Sequence, residues 1–252
     1  MLGVASVVLR AAGSQLRPAP DSYDGFVASF GPRLVSYWKF QNSGADANGT
    51  QHATITGGPE LNVETIVELD TIAEGAPGDG ECIAWPGASG VYAEAAHNAQ
   101  HKTPQGTILV TFQHDALSVK STLVAADRGV GGTSAGPGGL SMEVTTDGAP
   151  RCFLRRQGGT VVQLLGQAGD VQLNHAYTMI FKWGPGGISM ALWNASQGLV
   201  RRVTDPVEDG VTGTSPIRFG AWHTDVSHHD GPLRTGVCSR RAATPATSCA
   251  PT

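Results

Sequence analysis

The clearest β-hairpin of this chain reads Tyr177-Thr178-Met179-Ile180-Phe181-Lys182-Trp183, then Gly184-Pro185-Gly186-Gly187, then Ile188-Ser189-Met190-Ala191-Leu192-Trp193. The two outer runs are rich in β-branched, aromatic and other apolar residues, which favour strands. The central glycines and proline favour a tight turn, because glycine adopts positive φ angles without steric cost. The stretch therefore predicts two antiparallel strands, at residues 177–183 and 188–193.

The rest of the chain repeats this pattern of short strands and turns. A strong strand signal is Thr107-Ile108-Leu109-Val110-Thr111-Phe112-Gln113, and Asp147-Gly148 predicts a hairpin turn between residues 140–145 and 152–155. Residues 61–72 are compatible with strand or helix. Further strands are predicted at residues 33–40, 53–55, 82–85, 90–94, 121–126, 161–165, 199–203, 217–222 and 233–238.

About a dozen short strands with very little helix predict an all-β fold, an antiparallel β-sandwich. Within residues 33–40, alternation places Leu34, Ser36, Trp38 and Phe40 on one face of the strand. The strongest core predictions are large apolar residues inside strands: Trp38, Trp85, Phe112, Phe181, Leu192 and Phe219.

Composition narrows the possible classes of protein. Of 252 residues, 34 are glycine and only 15% are charged, whereas 40% are hydrophobic, enough for a core. No apolar run approaches the roughly 20 residues of a membrane-spanning helix. The net charge is −4 and there is no basic stripe, so nucleic-acid binding is a poor interpretation.

The cysteines leave the redox state open. The chain has four cysteines: Cys82, Cys152, Cys238 and Cys249. No two of them have C-x-x-C spacing, which excludes a zinc ribbon or a thioredoxin-type site. Cys82 and Cys152 are interpreted as small buried strand residues. A bridge between Cys238 and Cys249 is an open alternative.

Two boundaries divide the chain. Residues 1–22 are predicted to form an N-terminal arm or anchor, because Arg17-Pro18-Ala19-Pro20 interrupts any helix. The apolar run at residues 2–9 precedes the first charge, Arg10, which is the reverse of a secretory signal. The arm either packs on a partner chain or is a frayed segment. Residues 23–238 form the domain, and residues 239–252 form a disordered tail.

A set of segments in a fixed order carries a family resemblance. The segments are Val35-Ser36-Tyr37-Trp38-Lys39-Phe40, residues 46–54, Gly87-Ala88-Ser89-Gly90-Val91-Tyr92, residues 107–112, residues 187–194, Ile217-Arg218-Phe219-Gly220-Ala221 and Asp230-Gly231-Pro232-Leu233. In this order they resemble the laminin-G-like jelly rolls of the concanavalin A-like lectin/glucanase superfamily. The resemblance covers roughly residues 23–238 and implies a jelly-roll β-sandwich.

The resemblance also implies calcium as a possible cofactor, since many relatives bind it through oxygen ligands. The candidate ligands are Asp46, Asn48 and Asp230. The alternative is that Asp46 and Asn48 only stabilise the Asn48-Gly49 turn. His223, His228 and His229 beside Asp230 offer a second metal candidate, against the alternative of solvated surface histidines.

A glycan-binding or adhesion module without catalytic activity is the leading functional interpretation, by analogy with the fold. Aromatic rings stack on sugars, and the candidates are Tyr92, Trp193 and Trp222, followed by Trp183; core packing is the alternative for each. The partners would be surface glycans or capsule polysaccharide, and the location would be extracellular.

The alternative function is a structural spike or fibre component on the surface of a phage or phage-like particle, which would itself bind capsule sugars in some cases. In that interpretation residues 1–20 dock into another particle protein or a homo-oligomer. A glycoside hydrolase is the weaker alternative. Glu68, Asp70 and Glu74 resemble a catalytic motif, but Glu68 and Glu74 would lie roughly 20 Å apart in an extended strand, against the 5–10 Å of glycosidase pairs.

Overall fold

The computed structural model describes residues 34–38, 40, 43–49, 51–63, 82–96, 98, 101, 103–126, 139–156, 159–194, 196–211, 213, 215–222 and 229–240. The predicted arm, the candidate carboxylates Glu68, Asp70 and Glu74, and residues 241–252 lie outside the described residues.

In the residues that the structure describes, fifteen strands form two antiparallel sheets and there is no α-helix. The strands are β1 (Leu34–Trp38), β2 (Ala53–Thr56), β3 (Glu60–Val63), β4 (Cys82–Pro86), β5 (Tyr92–Ala95), β6 (Gly106–Gln113), β7 (Ser121–Ala125), β8 (Leu140–Val144), β9 (Pro150–Arg155), β10 (Val161–Leu165), β11 (Ala176–Trp183), β12 (Ile188–Asn194), β13 (Gly198–Asp205), β14 (Ile217–Phe219) and β15 (Asp230–Arg240). The predicted antiparallel β-sandwich is confirmed, with more strands than the dozen expected. In the part of the chain that the structure describes, no helix has the length and apolarity to cross a membrane.

The two sheets differ in size. The eight-stranded sheet has the order β13-β12-β11-β6-β15-β4-β3, and β1 also pairs with β15. The seven-stranded sheet has the order β10-β9-β8-β7-β14-β5-β2. The hairpin at residues 177–193 forms as predicted: β11 pairs with β12, and Gly184, Gly186 and Gly187 have φ angles of 136°, 90° and 96° in the turn.

The last strand lies in the middle of its sheet. One edge of β15 pairs with β6, and the other pairs first with β4 and then with β1. The register shifts between Leu233 and Thr235, which is a bulge in a long strand. Because β15 continues to Arg240, regular structure extends two residues beyond the predicted domain boundary at Cys238.

A second register shift, in β1, changes which face of the strand Leu34 occupies. The pairing of β1 with β15 is irregular between Leu34 and Ser36. The extra residue turns Leu34 to the face opposite Trp38, where it packs with Tyr37 and Leu109. Simple alternation therefore holds for Ser36 and Trp38 and is wrong for Leu34.

The hydrophobic core lies between the sheets. All six predicted core residues are at most 1% exposed. An aromatic cluster of Trp38, Phe40, Trp85 and Phe219 joins the sheets: the ring centroid of Phe219 lies 5.0 Å from those of Trp38 and Phe40, and Phe40 lies 6.3 Å from Trp85. Strand β14 ends at Phe219, earlier than predicted, because Gly220 turns the chain with a φ of 80°. A Cβ atom on Gly220 would lie 2.9 Å from the Trp85 ring.

Replacement of Phe219 by alanine tests how much this aromatic cluster contributes to the stability of the fold. We expect Phe219→Ala to lower the free energy of unfolding by about 3–5 kcal/mol, because a cavity replaces a buried ring between the sheets. Leu199→Ala is the control, since Leu199 is 47% exposed on β13, and its effect should stay within about 0.5 kcal/mol. Chemical denaturation of both variants measures the difference, and equal losses would contradict the assigned role of Phe219.

Candidate functional site

The outer face of the seven-stranded sheet carries polar and aromatic side chains. In β8, Leu140, Met142 and Val144 belong to the core, so Ser141 and Glu143 point outward. In β9, Cys152 and Leu154 belong to the core, and Arg151 and Phe153 point outward. Strand alternation therefore places a row of functional groups on the side of this sheet that faces away from the core.

A buried carboxylate organises one half of this face. Glu143 is directly opposite Arg151 in the β8–β9 register, and Arg151 donates to Glu143 through Nε (2.9 Å) and through Nη2. Oε1 of Glu143 accepts from Ser141 Oγ (2.9 Å) and from Lys120 Nζ (3.4 Å). Although Glu143 is fully buried, its charge is therefore paired and hydrogen-bonded, as a buried charge requires.

Arg218 organises the other half. From β14 it donates to Oε2 of Glu94 on β5, through Nη2 at 2.8 Å and Nε at 3.1 Å. Its guanidinium carbon lies 3.8 Å from the ring centroid of Tyr92, a cation–π contact. Its Nη1 donates to the carbonyl oxygen of Trp222 at 3.2 Å. One arginine therefore contacts both the ring of Tyr92 and the backbone of Trp222.

Trp222 contacts both halves: its carbonyl accepts from Arg218, and its ring lies beside residues of the Glu143 half. Its centroid is 5.6 Å from that of Phe153 and 5.5 Å from Lys120 Nζ. We name the outward side chains of this region the aromatic–cationic face; its members are Tyr92, Glu94, Lys120, Glu143, Arg151, Phe153, Arg218 and Trp222. Sequence reasoning found Tyr92 and Trp222 and missed the rest. The alternation of β9 was the available signal, since Arg151 and Phe153 alternate with the core residues Cys152 and Leu154.

Two of the predicted glycan-binding aromatics lie elsewhere. Trp193 is on β12, opposite Thr178 and Leu199, and alternates with the core residues Met190 and Leu192. It therefore points to the outer face of the eight-stranded sheet, on the other side of the sandwich from Tyr92 and Trp222. Trp183 is 1% exposed and donates from Nε1 to the carbonyl of Thr103 at 3.0 Å, so it is a core residue.

The predicted calcium loop is built on hydrogen bonds to the backbone. Oδ1 of Asp46 accepts from the backbone N–H of Tyr37 (2.9 Å) and of Asn48 (3.0 Å), and Oδ2 accepts from that of Gln51 (3.3 Å). Asn48 Nδ2 donates to the carbonyl of Leu34 at 2.9 Å. These contacts are what the alternative interpretation requires, in which Asp46 and Asn48 stabilise the turn; calcium binding at the loop stays a prediction.

The third candidate ligand, Asp230, lies far from the loop. Asp46 forms a β-bridge with Trp38, and Trp38 pairs with Gly236. Asp230 is six residues earlier on β15, which corresponds to roughly 20 Å along an extended strand. The described residues contain no group of three or more histidine, cysteine, aspartate and glutamate side chains that could hold a metal ion. Burial, together with the nearby Asp115, raises the pKa of Asp230.

His229 is buried, which overturns its interpretation as a solvated surface residue. Its Nδ1 lies 3.1 Å from Ser121 Oγ, and its ring packs against that of His114 with the centroids 4.6 Å apart. His223 and His228 lie outside the described residues. Burial, with a contribution from His229, lowers the pKa of His114 to about 2. These two imidazoles join the end of β6 to the starts of β7 and β15.

Cys152 is a buried strand residue, as predicted, and its thiol is free. Its Sγ lies 3.6 Å from Sδ of Met179, and burial raises its pKa. The side chains of Cys82, Cys238 and Cys249 lie outside the described part of the structure.

Comparison with known proteins gives the fold. No protein-family model matches the sequence, and no curated protein matches it. Among solved structures, the chain is similar to the CBM40 of the Ruminococcus gnavus IT-sialidase (13% identity, TM-score 0.50), covering 64% of this chain and 92% of that one. It is also similar to the Trypanosoma rangeli sialidase, with 14% identity and a TM-score of 0.53, covering 84% of this chain and 31% of that one. A third similar structure is the enzymatically active domain of tailspike protein 2 of bacteriophage CBA120, with 14% identity and a TM-score of 0.50, covering 76% of this chain and 29% of that one. The protein is an antiparallel jelly-roll β-sandwich.

Replacement of Asp46 tests whether this loop binds calcium or only stabilises the turn. We expect Asp46→Ala to lower the free energy of unfolding by about 1–3 kcal/mol, because backbone N–H groups lose their acceptor. If the carboxylate serves only the turn, thermal melts will show the same loss with added calcium and with chelator. A wild-type melting temperature that rises with calcium, and a variant in which the rise disappears, would show instead that the loop binds the ion.

The buried His114 predicts a pH dependence of stability. Its pKa is about 2 in the folded protein, against 6.5 for an ordinary histidine. At intermediate pH the unfolded chain therefore binds a proton that the folded chain does not. The contribution of His114 to the free energy of unfolding is therefore fully present above pH 6.5. It is lost as the pH falls towards 2, by up to about 1.4 kcal/mol per pH unit. We expect the loss of unfolding free energy between pH 7.5 and 5 to be smaller in His114→Leu than in wild type. Chemical denaturation of wild type and variant at both pH values measures the two losses, and equal losses would contradict this role of His114.

Proposed function

We propose that this protein is a glycan-binding or adhesion module without catalytic activity, and that its ligand lies on the aromatic–cationic face. The observation that carries the proposal is that the rings of Tyr92 and Trp222 lie on the same outer face of the seven-stranded sheet, Tyr92 against Arg218 and Trp222 beside Phe153 and Lys120. Both rings are partly exposed. Aromatic rings present an apolar surface to a sugar ring, and the charged groups beside them supply hydrogen bonds to its hydroxyls.

The carboxylates of this face are poorly arranged for glycoside hydrolysis. Glu143 is on β8 and Glu94 is on β5, three strand spacings away, which corresponds to about 14 Å across the sheet. Catalytic carboxylate pairs of glycosidases are separated by about 5–10 Å. Each carboxylate is also bound to an arginine, Arg151 or Arg218. These two features support a binding role in preference to a hydrolytic one.

The fold is compatible with several biological settings. It occurs in a carbohydrate-binding module of a sialidase and in an enzymatically active domain of a phage tailspike, so the fold alone does not select a function. We propose that the chain belongs to the laminin-G-like branch of this fold and acts at a cell or virion surface, where surface glycans or capsule polysaccharide are available.

The two outer-face tryptophans provide a matched test of the site. We expect Trp222→Ala to reduce glycan binding at least tenfold, because the ring that would stack on the sugar is lost. Trp193→Ala removes the same side chain from the opposite face of the sandwich and should leave binding unchanged. A glycan array identifies the ligand, and titration calorimetry of the full chain measures both variants.

The outcome distinguishes the possible locations of the site. Equal losses in the two variants, or a loss only in Trp193→Ala, would contradict the proposed face. Release of reducing sugar from a bound glycan by wild-type protein would contradict the assignment as a non-catalytic module.

A further inference from the structure

The aromatic–cationic face has more cationic than anionic groups. Its cationic side chains are Lys120, Arg151 and Arg218, and its carboxylates are Glu94 and Glu143. The whole chain, by contrast, has a net charge of −4. Among the described residues of this face, cations therefore outnumber carboxylates on a chain that is acidic overall, which favours an anionic ligand at this position.

The three cations differ in how fully they are already engaged. Arg151 is bound to Oε2 of Glu143, and Arg218 is bound to Glu94 and to the carbonyl of Trp222. Among the described residues, Lys120 makes one hydrogen-bonded ion pair, at 3.4 Å to Oε1 of Glu143, and its Nζ also lies over the Trp222 ring. That oxygen already accepts a shorter hydrogen bond of 2.9 Å from Ser141.

Lys120 consequently has N–H donors that the contact with Glu143 does not use. An ammonium group carries three N–H donors, and its side chain here is 37% exposed. Because Glu143 also pairs with Arg151, its charge remains compensated when Lys120 turns towards a ligand. Among the cations of the face, Lys120 is the one that can accept an anionic ligand without leaving a buried carboxylate unpaired.

The position of Lys120 relates this donor to the aromatic surface. Its Nζ lies 5.5 Å from the centroid of the Trp222 ring. A sugar ring stacked on Trp222 would bring its substituents within reach of this ammonium. A carboxylate or sulfate on that ring would accept a charge-assisted hydrogen bond, which is about twice as strong as a neutral one.

We infer that the glycan bound at Trp222 is acidic, and that Lys120 selects it by binding a carboxylate or sulfate substituent of the stacked sugar. The inference rests on the proposed function, because it names the class of glycan bound at the same face. Arg151 and Arg218 position Glu143, Tyr92 and Trp222, whereas Lys120 determines specificity.

The test compares acidic glycans with neutral forms of the same sugars. The carboxylate pair is oligogalacturonate and its methyl ester, and the sulfate pair is dextran sulfate, whose only acidic groups are sulfates, and dextran. Titration calorimetry on the full chain at 50 and 300 mM salt measures each. We expect wild-type protein to prefer the acidic member of at least one pair about tenfold at low salt, and we expect added salt to reduce this preference.

Lys120→Met keeps the aliphatic stem and removes the charge. In this variant the preference for the acidic member should disappear while affinity for the neutral member stays within twofold of wild type. The control Lys182→Met removes an exposed lysine from the outer face of the eight-stranded sheet and should keep the wild-type preference. The pair that Lys120 discriminates identifies carboxylate or sulfate as the substituent.

Two results would overturn the inference. One is a wild-type protein that binds neither acidic member more tightly than its neutral form, and the other is a Lys120→Met variant that retains the preference. Both leave the proposed function in place if a glycan is still bound in a manner that depends on Trp222 and not on Trp193. Loss of that dependence is the separate result that overturns the proposed function.

Discussion

The packing of Phe219 against Trp38 and Phe40 is the contact on which the rest of the molecule depends. Phe219 belongs to the seven-stranded sheet, whereas Trp38 ends the first strand of the eight-stranded sheet, so these rings hold the two layers together. Trp85 extends the cluster and lies directly over Gly220. Close-packed aromatic rings tolerate little displacement, which fixes the position of the short strand β14 within its sheet.

Through β14, the core also determines the candidate site. Phe219 and Arg218 are adjacent in sequence and point to opposite faces of the sheet. The ring that is locked in the core therefore sets the position of the guanidinium outside it, and that guanidinium contacts Tyr92, Glu94 and the carbonyl of Trp222. In the same way, the burial of Met142 and Cys152 aims Glu143 and Arg151 outward as a cross-strand pair. The site is the outer surface of a sheet whose inner surface is held by packing.

Contacts between residues distant in the chain decide several features that the sequence does not show. Tyr92, Trp193 and Trp222 look equivalent as partly apolar residues near strand ends, yet only Tyr92 and Trp222 share a face, because β12 belongs to the other sheet. His229 is close to two other histidines and an aspartate in the sequence, which suggested a solvated or metal-binding loop. Its actual neighbours, Ser121 and His114, are more than 100 residues away, and they bury it.

Local physical chemistry determined the class of fold, most of the strands and the six large core residues. Glycine-rich turns and runs of β-forming residues act over a few positions, so they can be recognised without knowing what packs against them. Tertiary structure alone decided which strands share a sheet, that the last strand enters the middle of the sheet beside the first, and that a bulge reverses the direction of Leu34. It also decided that Lys120, Arg151, Arg218 and Trp222 share one face. These facts depend on pairing between distant segments, where one residue of register moves a side chain from the core to the surface.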